Sequence, residues 1–332
     1  MIVSDVCAYY ASGRGPEVRA VDHVSLAVKD GEVLGIAGES GCGKSTLAAV
    51  MSLTARPPLY LKSGEIELNG QVIALNPQTV APAGWHGALV ALLPQRAMNS
   101  LNPTARVREF VVDVIRAHDP VIRPREAIEM ARERLEQLSL PARVLDSYPH
   151  QLSGGMRQRV VAVVTTLLNP TLLIADEPTS ALDVSSQKEL MILLRQLIAH
   201  DFIRQIAFIT HDLPLLSNLA DRIVVMYAGK IAEVGTTAQV VDRPQHPYTQ
   251  VLINSTLDPD IELRGQRLAG IRGAPPDLRD PPSGCRFHPR CPHAMPICSQ
   301  QEPPPVGDAE HYATCWWVKE QTADHVYQEA AQ

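Results

Sequence analysis

The stretch Gly38-Glu39-Ser40-Gly41-Cys42-Gly43-Lys44-Ser45-Thr46 constrains this chain more than any other. It follows the apolar run Val33-Leu34-Gly35-Ile36-Ala37 and precedes Thr46-Leu47-Ala48-Ala49-Val50-Met51, which reads as a helix. A strand, a glycine-rich turn and a helix start, in that order, are the setting of a phosphate-binding loop. Such a loop needs bare backbone. Gly41 and Gly43 can take positive φ, so that successive N–H groups converge on an anion with no Cβ in the way. The helix N-terminus adds unpaired donors and partial positive charge. Gly38, Ser40, Cys42 and Thr46 complete the expected cradle. Lys44 is expected to reach the β- and γ-phosphates, and the Ser45 hydroxyl to ligate Mg²⁺. The alternative, a glycine-rich turn matching by chance, is weakened by the strand before it and the helix after it. The expectation is a chain that binds a nucleoside triphosphate.

Composition supports a folded protein. Of 332 residues, 45% are hydrophobic, enough for a full core, and a charged fraction of 20% argues against disorder. That length suits one large domain with an appendage or two modest domains. The formal charge of -6 weighs against a dedicated nucleic-acid binder, whose footprint is usually basic. No apolar run approaches the ~20 residues that span a bilayer. Met1-Ile2-Val3-Ser4-Asp5 lacks a basic region followed by an apolar stretch, so no secretory signal is expected. The expectation is a cytosolic protein that can dock on a membrane protein.

Val3 to Tyr10 and Val18 to Val28 read as β-strands joined through Ser12-Gly13-Arg14-Gly15-Pro16. Ser63 to Gly70 alternates with period two and ends in Asn69-Gly70, a hairpin signal. Ala88 to Leu93 is a short apolar strand. From Val107 to Leu140 the pattern becomes helical, charged and amphipathic, which reads as a helical insertion with a solvated face. Strands at Thr171 to Ala175, Ile206 to Thr210 and Arg222 to Tyr227 then alternate with helices at Ser185 to His200 and Leu213 to Ala220. That alternation predicts an α/β fold with a parallel sheet covered on both faces. Beyond Asp242 the composition shifts to Pro, Gly and Cys, which predicts a boundary near residue 243.

Leu172-Leu173-Ile174-Ala175-Asp176-Glu177 is an apolar strand ending in two carboxylates, at the sheet edge where ligands of open α/β sheets sit. Beside a phosphate loop, Asp176 is suited to hold Mg²⁺ and Glu177 to polarise an attacking water. Without the loop, the pair would read as a helix cap. Leu152-Ser153-Gly154-Gly155 opens a helix running to Leu168, with Ser153 as a natural N-cap. Two consecutive glycines cost helix stability, so the backbone there is expected to admit a close neighbour, with another phosphate the obvious candidate.

These motifs, in this order, resemble the ATP-binding-cassette (ABC) transporter ATPases over residues 1 to about 242. The resemblance implies a P-loop nucleotide-binding domain at 1–242, a mixed sheet with an antiparallel β subdomain, and a helical subdomain at about 96–158. Residues 243–332 would form a small Cys- and Pro-rich C-terminal region. It implies that Ser153, Gly154 and Gly155 are the signature, with Met156 where glutamine is common. Ser180-Ala181-Leu182-Asp183 resembles the loop joining two active sites, so Asp183 is an expected nucleotide contact. Gln95 resembles the glutamine that senses Mg²⁺ and water, His211 the switch histidine, and Tyr10 the aromatic that stacks on adenine, with Tyr9 as competitor. Glu177, His211, Gln95 and Lys44 would be catalytic, and Ser45, Gln95 and Asp176 would hold Mg²⁺. ATP would be sandwiched in a head-to-tail dimer.

Within that family, the oligopeptide and dipeptide importers are the similar branch. Tyr148-Pro149-His150-Gln151, His246-Pro247-Tyr248-Thr249 and the segment from Gln95 to Pro103 carry the likeness, with Arg96 and Ala97 departing where an acid and proline are usual. The resemblance implies a second related ATPase, hence a heterodimer, with two transmembrane permease subunits and an extracytoplasmic solute-binding protein. It places the chain on the cytoplasmic face of the inner membrane, with short peptides as cargo. Oligosaccharides or nickel are alternative cargoes, and a cassette acting on DNA or ribosomes is the alternative of another class. No nucleic acid is expected. Cys285, Cys291, Cys298 and Cys315 lack the paired Cys-x2-Cys of zinc ribbons, and their spacing leaves iron–sulfur, zinc and metal-free readings open. The resemblance favours a [4Fe–4S] cluster, and His288, His293 and His311 nearby keep zinc as the alternative.

Overall fold

Apolar β-branched runs separated by Gly- and Asn-containing turns build most of the strands. The computed structural model describes residues 1–329 apart from Arg14, Arg96, residues 257–270 and Arg272. The departure at Arg96 therefore lies outside the described residues. In chain order come β1 (Ile2–Tyr10), β2 (Val18–Ala27), β3 (Val33–Ala37), α1 (Lys44–Met51), β4 (Leu59–Leu68), β5 (Gln71–Ala74) and β6 (Val90–Leu93). Next are α2 (Val107–Arg116), α3 (Pro124–Gln137), α4 (Gly154–Thr165), β7 (Leu172–Asp176), α5 (Val184–Ala199), β8 (Gln205–Ile209) and α6 (Leu213–Leu219). The last group is β9 (Arg222–Tyr227), β10 (Lys230–Thr236), α7 (Thr237–Asp242), α8 (Pro247–Thr256), β11 (Pro305–Gly307), β12 (Tyr312–Thr314) and α9 (Trp316–Glu329).

Two compact units emerge. One comprises Met1, Val28–Val33 and Val80–Ile209. In it β6, β7 and β8 run parallel, with Leu93 opposite Ala175 and Asp176 opposite Ile209. Leu172 to Ala175 are fully buried, as a strand covered on both faces requires. The helical insertion is amphipathic as its pattern predicts: α2 buries Val107, Val111 and Ile115, and α3 buries Ala127, Ala131 and Leu135. Arg134 of α3 is buried too. It donates to Thr166 O (3.0 Å) and Asn169 Oδ1 (2.7 Å) and lies 3.6 Å from the Phe202 ring centre, while burial pulls its pKa down to about 10.

The other unit comprises Ile2–Ala27, Leu34–Thr79 and the described residues from Thr210 onward. It holds an antiparallel sheet in the order β2-β1-β4-β5. Asn69 (φ 52°) and Gly70 (φ 76°) make the β4–β5 turn, as the Asn-Gly pair predicts. β4 starts at Leu59, ahead of the predicted Ser63, because Leu59 to Leu61 pair with the end of β1. A second set of strands runs β11-β12-β10-β9-β3. β9 lies parallel to β3 and antiparallel to β10, through a turn at Ala228 (φ 48°) and Gly229 (φ 83°). The sequence pattern did not foretell β10, β11 or β12. The tail strands β11 and β12 are short, β11 starts on a proline run, and β12 exists by pairing with β10, Ala313 opposite Glu233.

His246 shows how closely the C-terminal part is packed. It is buried, and its Nδ1 accepts the Tyr248 N–H at 3.0 Å, which requires the neutral ring. Burial lowers its pKa from 6.5 to about 4. The unfolded chain therefore binds this proton first on acidification, so stability is lost as pH falls below the ordinary histidine value. Between about pH 7 and about pH 5 the loss from this group is on the order of 2 kcal/mol. Urea midpoints of the wild type should thus fall more steeply with acid than those of His246→Gln, and parallel curves would show that His246 is not buried neutral.

Candidate nucleotide-binding and catalytic site

In the second unit the loop between β3 and α1 is set by its glycines. Gly38 (φ 148°), Gly41 (φ 80°) and Gly43 (φ 110°) all lie at positive φ. A Cβ on Gly43 would stand 2.0 Å from Ala20 O, and one on Gly38 would stand 2.2 Å from Met226 O. Around Gly41 nothing lies within 4 Å of that position, so its backbone faces open space. α1 begins on Gly43 with no side-chain cap and no acid in its first turn. Ser153, Asp183, Asp212 and Thr236, by contrast, cap α4, α5, α6 and α7 through their side-chain oxygens. Lys44 is buried, and its Nζ donates to Gly38 O (2.7 Å) and Glu39 O (2.9 Å). Those partners are neutral carbonyls, which leaves an ammonium at the helix N-terminus, where the backbone dipole favours an anion. This chemistry fits a polyphosphate.

Tyr10 and Tyr9 separate clearly. The Tyr10 hydroxyl sits 3.0 Å from Thr46 Oγ1, on the helix that leaves the loop. Tyr9 is buried and donates to Asp22. Ser40 and Ser45 are exposed, whereas Cys42 and Thr46 are buried. His211 is exposed and follows Thr210, whose N–H donates to Ile36 O at 3.1 Å.

In the first unit, Asp176 closes β7 and Glu177 follows it at φ 45°. A non-glycine residue in the left-handed region is a local strain, and such strain clusters at functional positions. The Glu177 N–H donates to Ile209 O at 2.9 Å, which ties the turn to β8. Gln95, just beyond β6, donates from Nε2 to Glu177 Oε2 at 2.8 Å. Two sheet ends thereby place an amide on a carboxylate.

The signature segment has a more ordinary side than its glycines suggested. Ser153 Oγ accepts the Met156 N–H at 3.2 Å, a cap that uses its oxygen and leaves its O–H as a donor. A Cβ on Gly155 would stand 2.5 Å from Ser186 Oγ and 2.7 Å from Ser186 Cβ. The space a Cβ of Gly155 would take is thus filled by the start of α5. Asp183 likewise has internal work: Oδ1 accepts the Ser186 N–H and Oδ2 the Ser186 hydroxyl, both at 2.9 Å. Those bonds hold its carboxyl below the usual range.

Sequence reasoning missed the part that two residues play at the loop. Tyr248 Oη accepts the Glu39 N–H at 2.8 Å, and Arg290 grips the Glu39 carboxylate with two bonds of 2.7 and 3.1 Å. An acid inside an anion-binding loop was the available signal, since it requires a cationic partner; nothing local named Arg290, 251 residues away.

Comparison with known proteins agrees with this chemistry. The model of the ABC transporter family matches residues 21–180, and that of the oligopeptide/dipeptide transporter C-terminal region matches residues 232–298. The dipeptide transport ATP-binding protein DppD of Caldanaerobacter subterraneus is 40% identical over 98% of this chain and 97% of its own. The oligopeptide transport ATP-binding protein OppD of Bacillus subtilis is 41% identical over 91% of this chain and 84% of its own. Among solved structures, a dimeric post-hydrolysis ATP-binding cassette bound to ADP and Pi matches with a TM-score of 0.59 and 26% identity, covering 71% of this chain and 98% of that one.

The expected [4Fe–4S] cluster is corrected by the same relatives. Their names are those of dipeptide and oligopeptide transport ATP-binding proteins, and none of them supports an iron–sulfur or zinc centre here. Cys285, Cys291, Cys298 and Cys315 form no disulfide, and burial pushes Cys285 up to about 12 and Cys291 up to about 11. Cys315 packs with Ala313 and Val318 in a small apolar cluster. Among the described residues, the His/Cys/Asp/Glu group whose ligand atoms all lie within 4.8 Å is Cys7, Asp22 and His23. Its Asp22 is already engaged by Tyr9 and Arg286. With relatives of this identity along almost its whole length, the chain belongs to the ABC transporter family of ATP-binding proteins.

Proposed function

We propose that this chain is the ATP-hydrolysing subunit of an importer that moves dipeptides and oligopeptides through an inner-membrane permease. The observation that carries the catalytic part is the 2.8 Å bond from Gln95 to Glu177. A carboxylate with one oxygen fixed by a neutral amide is held in orientation, as a base for water must be. In this reading Lys44 and the loop N–H groups from Gly38 to Thr46 hold the phosphates, and the Tyr10 ring meets the adenine. Ser45, Asp176 and Gln95 would hold Mg²⁺, which when bound neutralises charge on the phosphates. Glu177 takes a proton from water as its oxygen bonds to the γ-phosphorus and the bond to the β-phosphate oxygen breaks. His211 contacts the γ-phosphate.

Ser153, Gly154, Gly155 and Asp183 would serve a neighbour's nucleotide in a head-to-tail dimer. The Ser153 O–H, still a donor beyond its cap, suits that role. The partner would be a second cassette ATPase in a heterodimer, with two permease subunits and an extracytoplasmic solute-binding protein, and the chain would sit at the cytoplasmic face. No helix among the described residues is long and apolar enough to cross a membrane, so membrane attachment by those residues would come through partners. The names of the relatives support peptide cargo. We also propose a nucleotide-binding domain at 1–242, with the helical subdomain at about 96–158, followed by a C-terminal region at 243–332. Separate family matches at 21–180 and 232–298 support that division.

Glu177→Gln should retain ATP binding and lower turnover by about 10²-fold or more, the usual range for loss of a general base. Single-turnover hydrolysis and fluorescent-nucleotide titration separate the two effects, and undiminished turnover would remove Glu177 from the role. Lys44→Ala should weaken ATP binding itself by about tenfold or more, since a buried charge-assisted contact is lost. Isothermal titration with ATP checks this, and unchanged affinity would sink the phosphate-loop reading.

A further inference from the structure

The Glu39 carboxylate is an oddity in a loop built to receive a polyanion. Left unpaired, it would repel phosphate at close range. Arg290, from the C-terminal part of the chain, answers it with a two-bond guanidinium fork, and the pair is largely enclosed, with the Arg290 side chain 6% exposed and that of Glu39 21%. The guanidinium is fixed from two further directions. It donates to Tyr227 Oη at 3.1 Å and to Gly273 O at 3.1 Å. Burial opposes its charge, but the bonds to Glu39 and Tyr227 outweigh burial and hold its pKa above the ordinary value.

Glu39 is also the residue through which Lys44 is held. Its carbonyl accepts Lys44 Nζ at 2.9 Å and the Cys42 N–H at 3.3 Å, while its own N–H is bound by Tyr248 Oη at 2.8 Å. Tyr248, Tyr227 and Phe287 form one aromatic cluster with ring centres 4.6 to 5.4 Å apart. Backbone and carboxylate of this one loop residue are therefore both anchored by residues beyond 226, and the lysine hangs on the same residue.

We infer that Arg290 is a positioning residue for nucleotide binding: it neutralises Glu39 and fixes the phosphate loop, so the C-terminal region sets the chain's affinity for ATP. The inference rests on the nucleotide-binding reading above. It predicts a charge signature that simple loosening of the loop does not. Arg290→Gln strands a carboxylate beside the phosphates, whereas removing both partners leaves no charge to repel them. Loosening alone would make the double variant at least as weak as the single one.

The test is titration of the full-length chain with ATP, in wild type, Arg290→Gln, Glu39→Gln/Arg290→Gln, Arg290→Lys and Lys44→Ala, with folding checked by thermal melting. Arg290→Gln should raise the Kd for ATP about tenfold or more, as expected when one member of an enclosed charge pair is removed. The double variant should return to within about threefold of wild type, the scale of a neutral hydrogen-bond change. Arg290→Lys keeps the charge without the fork and should stay within about tenfold of wild type; it carries the test if Arg290→Gln does not fold. Wild-type affinity in Arg290→Gln, or a double variant as weak as the single, overturns the inference while leaving nucleotide binding intact. Equal binding by wild type and Lys44→Ala, or none by wild type, instead overturns the nucleotide reading and this inference with it.

Discussion

The phosphate loop is held as bare backbone between two other pieces of backbone, and the rest of its unit is arranged around that fact. Gly43 presses on Ala20 O of β2, and Gly38 presses on Met226 O of β9. Gly229, in the turn after β9, donates its N–H to Cys42 O at 2.8 Å and would carry a Cβ 2.6 Å from Arg19 O. A side chain at any of these three glycines would push apart β2, the loop or the β9–β10 turn. Steric contact of this kind is rigid, because carbonyl oxygens of paired strands cannot retreat without losing ladder bonds. The loop geometry is thus determined by three segments far apart in sequence.

The C-terminal residues join the same unit through strand pairing and aromatic packing, and also through charge. Arg286 pairs with Asp22 of β2, and both side chains are nearly inaccessible, at 6% and 7%. Burial works to raise the Asp22 carboxyl, but the Tyr9 hydroxyl and the Arg286 charge outweigh it and hold it below its ordinary value. Glu233 of β10 is fully buried, and its two oxygens accept from Gln245 N (2.8 Å) and His246 N (2.9 Å) while His311 lies 3.0 Å away. Enclosed pairs such as these contribute little net stability against apolar packing, yet breaking one side leaves a stranded charge that costs about 3–5 kcal/mol. They favour one docking position of the tail over others. The four cysteines sit within this region, Cys298 and Cys315 buried and Cys285 and Cys291 half-buried.

What could be read in the sequence was local. The strand before the loop, the Asn69-Gly70 turn and the amphipathic stripe of α2 each follow from periodicity or from a residue's own φ preference, and each stands where the pattern puts it. The carboxylate pair at the end of β7 and Gln95 at the end of β6 were placed by strand ends and resemblance, and parallel pairing brings Gln95 and Glu177 into contact. Where the reading fell short, a distant partner decides. β12 has too few residues to form alone and forms on β10, and Gly155 is glycine because Ser186 lies against it. The pairing of Glu39 with Arg290 had no local pattern to announce it, since an ion pair leaves no periodicity.

The division of helix N-termini carries the functional reading one step further. A helix start leaves several N–H groups without internal partners, and they must be satisfied by side chains, water or a ligand. α4, α5, α6 and α7 satisfy theirs in part with Ser153, Asp183, Asp212 and Thr236. α1 has a left-handed glycine instead, and places Lys44, a cation, in the turn where the helix dipole disfavours one. Both choices cost stability in the empty protein, and both are offset when an anion occupies the turn. Ser153 stands between these cases, because its oxygen is committed to its own helix while its proton is not. The same hydroxyl can therefore cap α4 and still donate a bond of its own. A capping aspartate could not make that bond from its side chain, since an ionised carboxylate has no proton to give. Serine at 153 and aspartate at 183 thus differ chemically, since the serine keeps a donor after capping its helix while both Asp183 oxygens accept from Ser186.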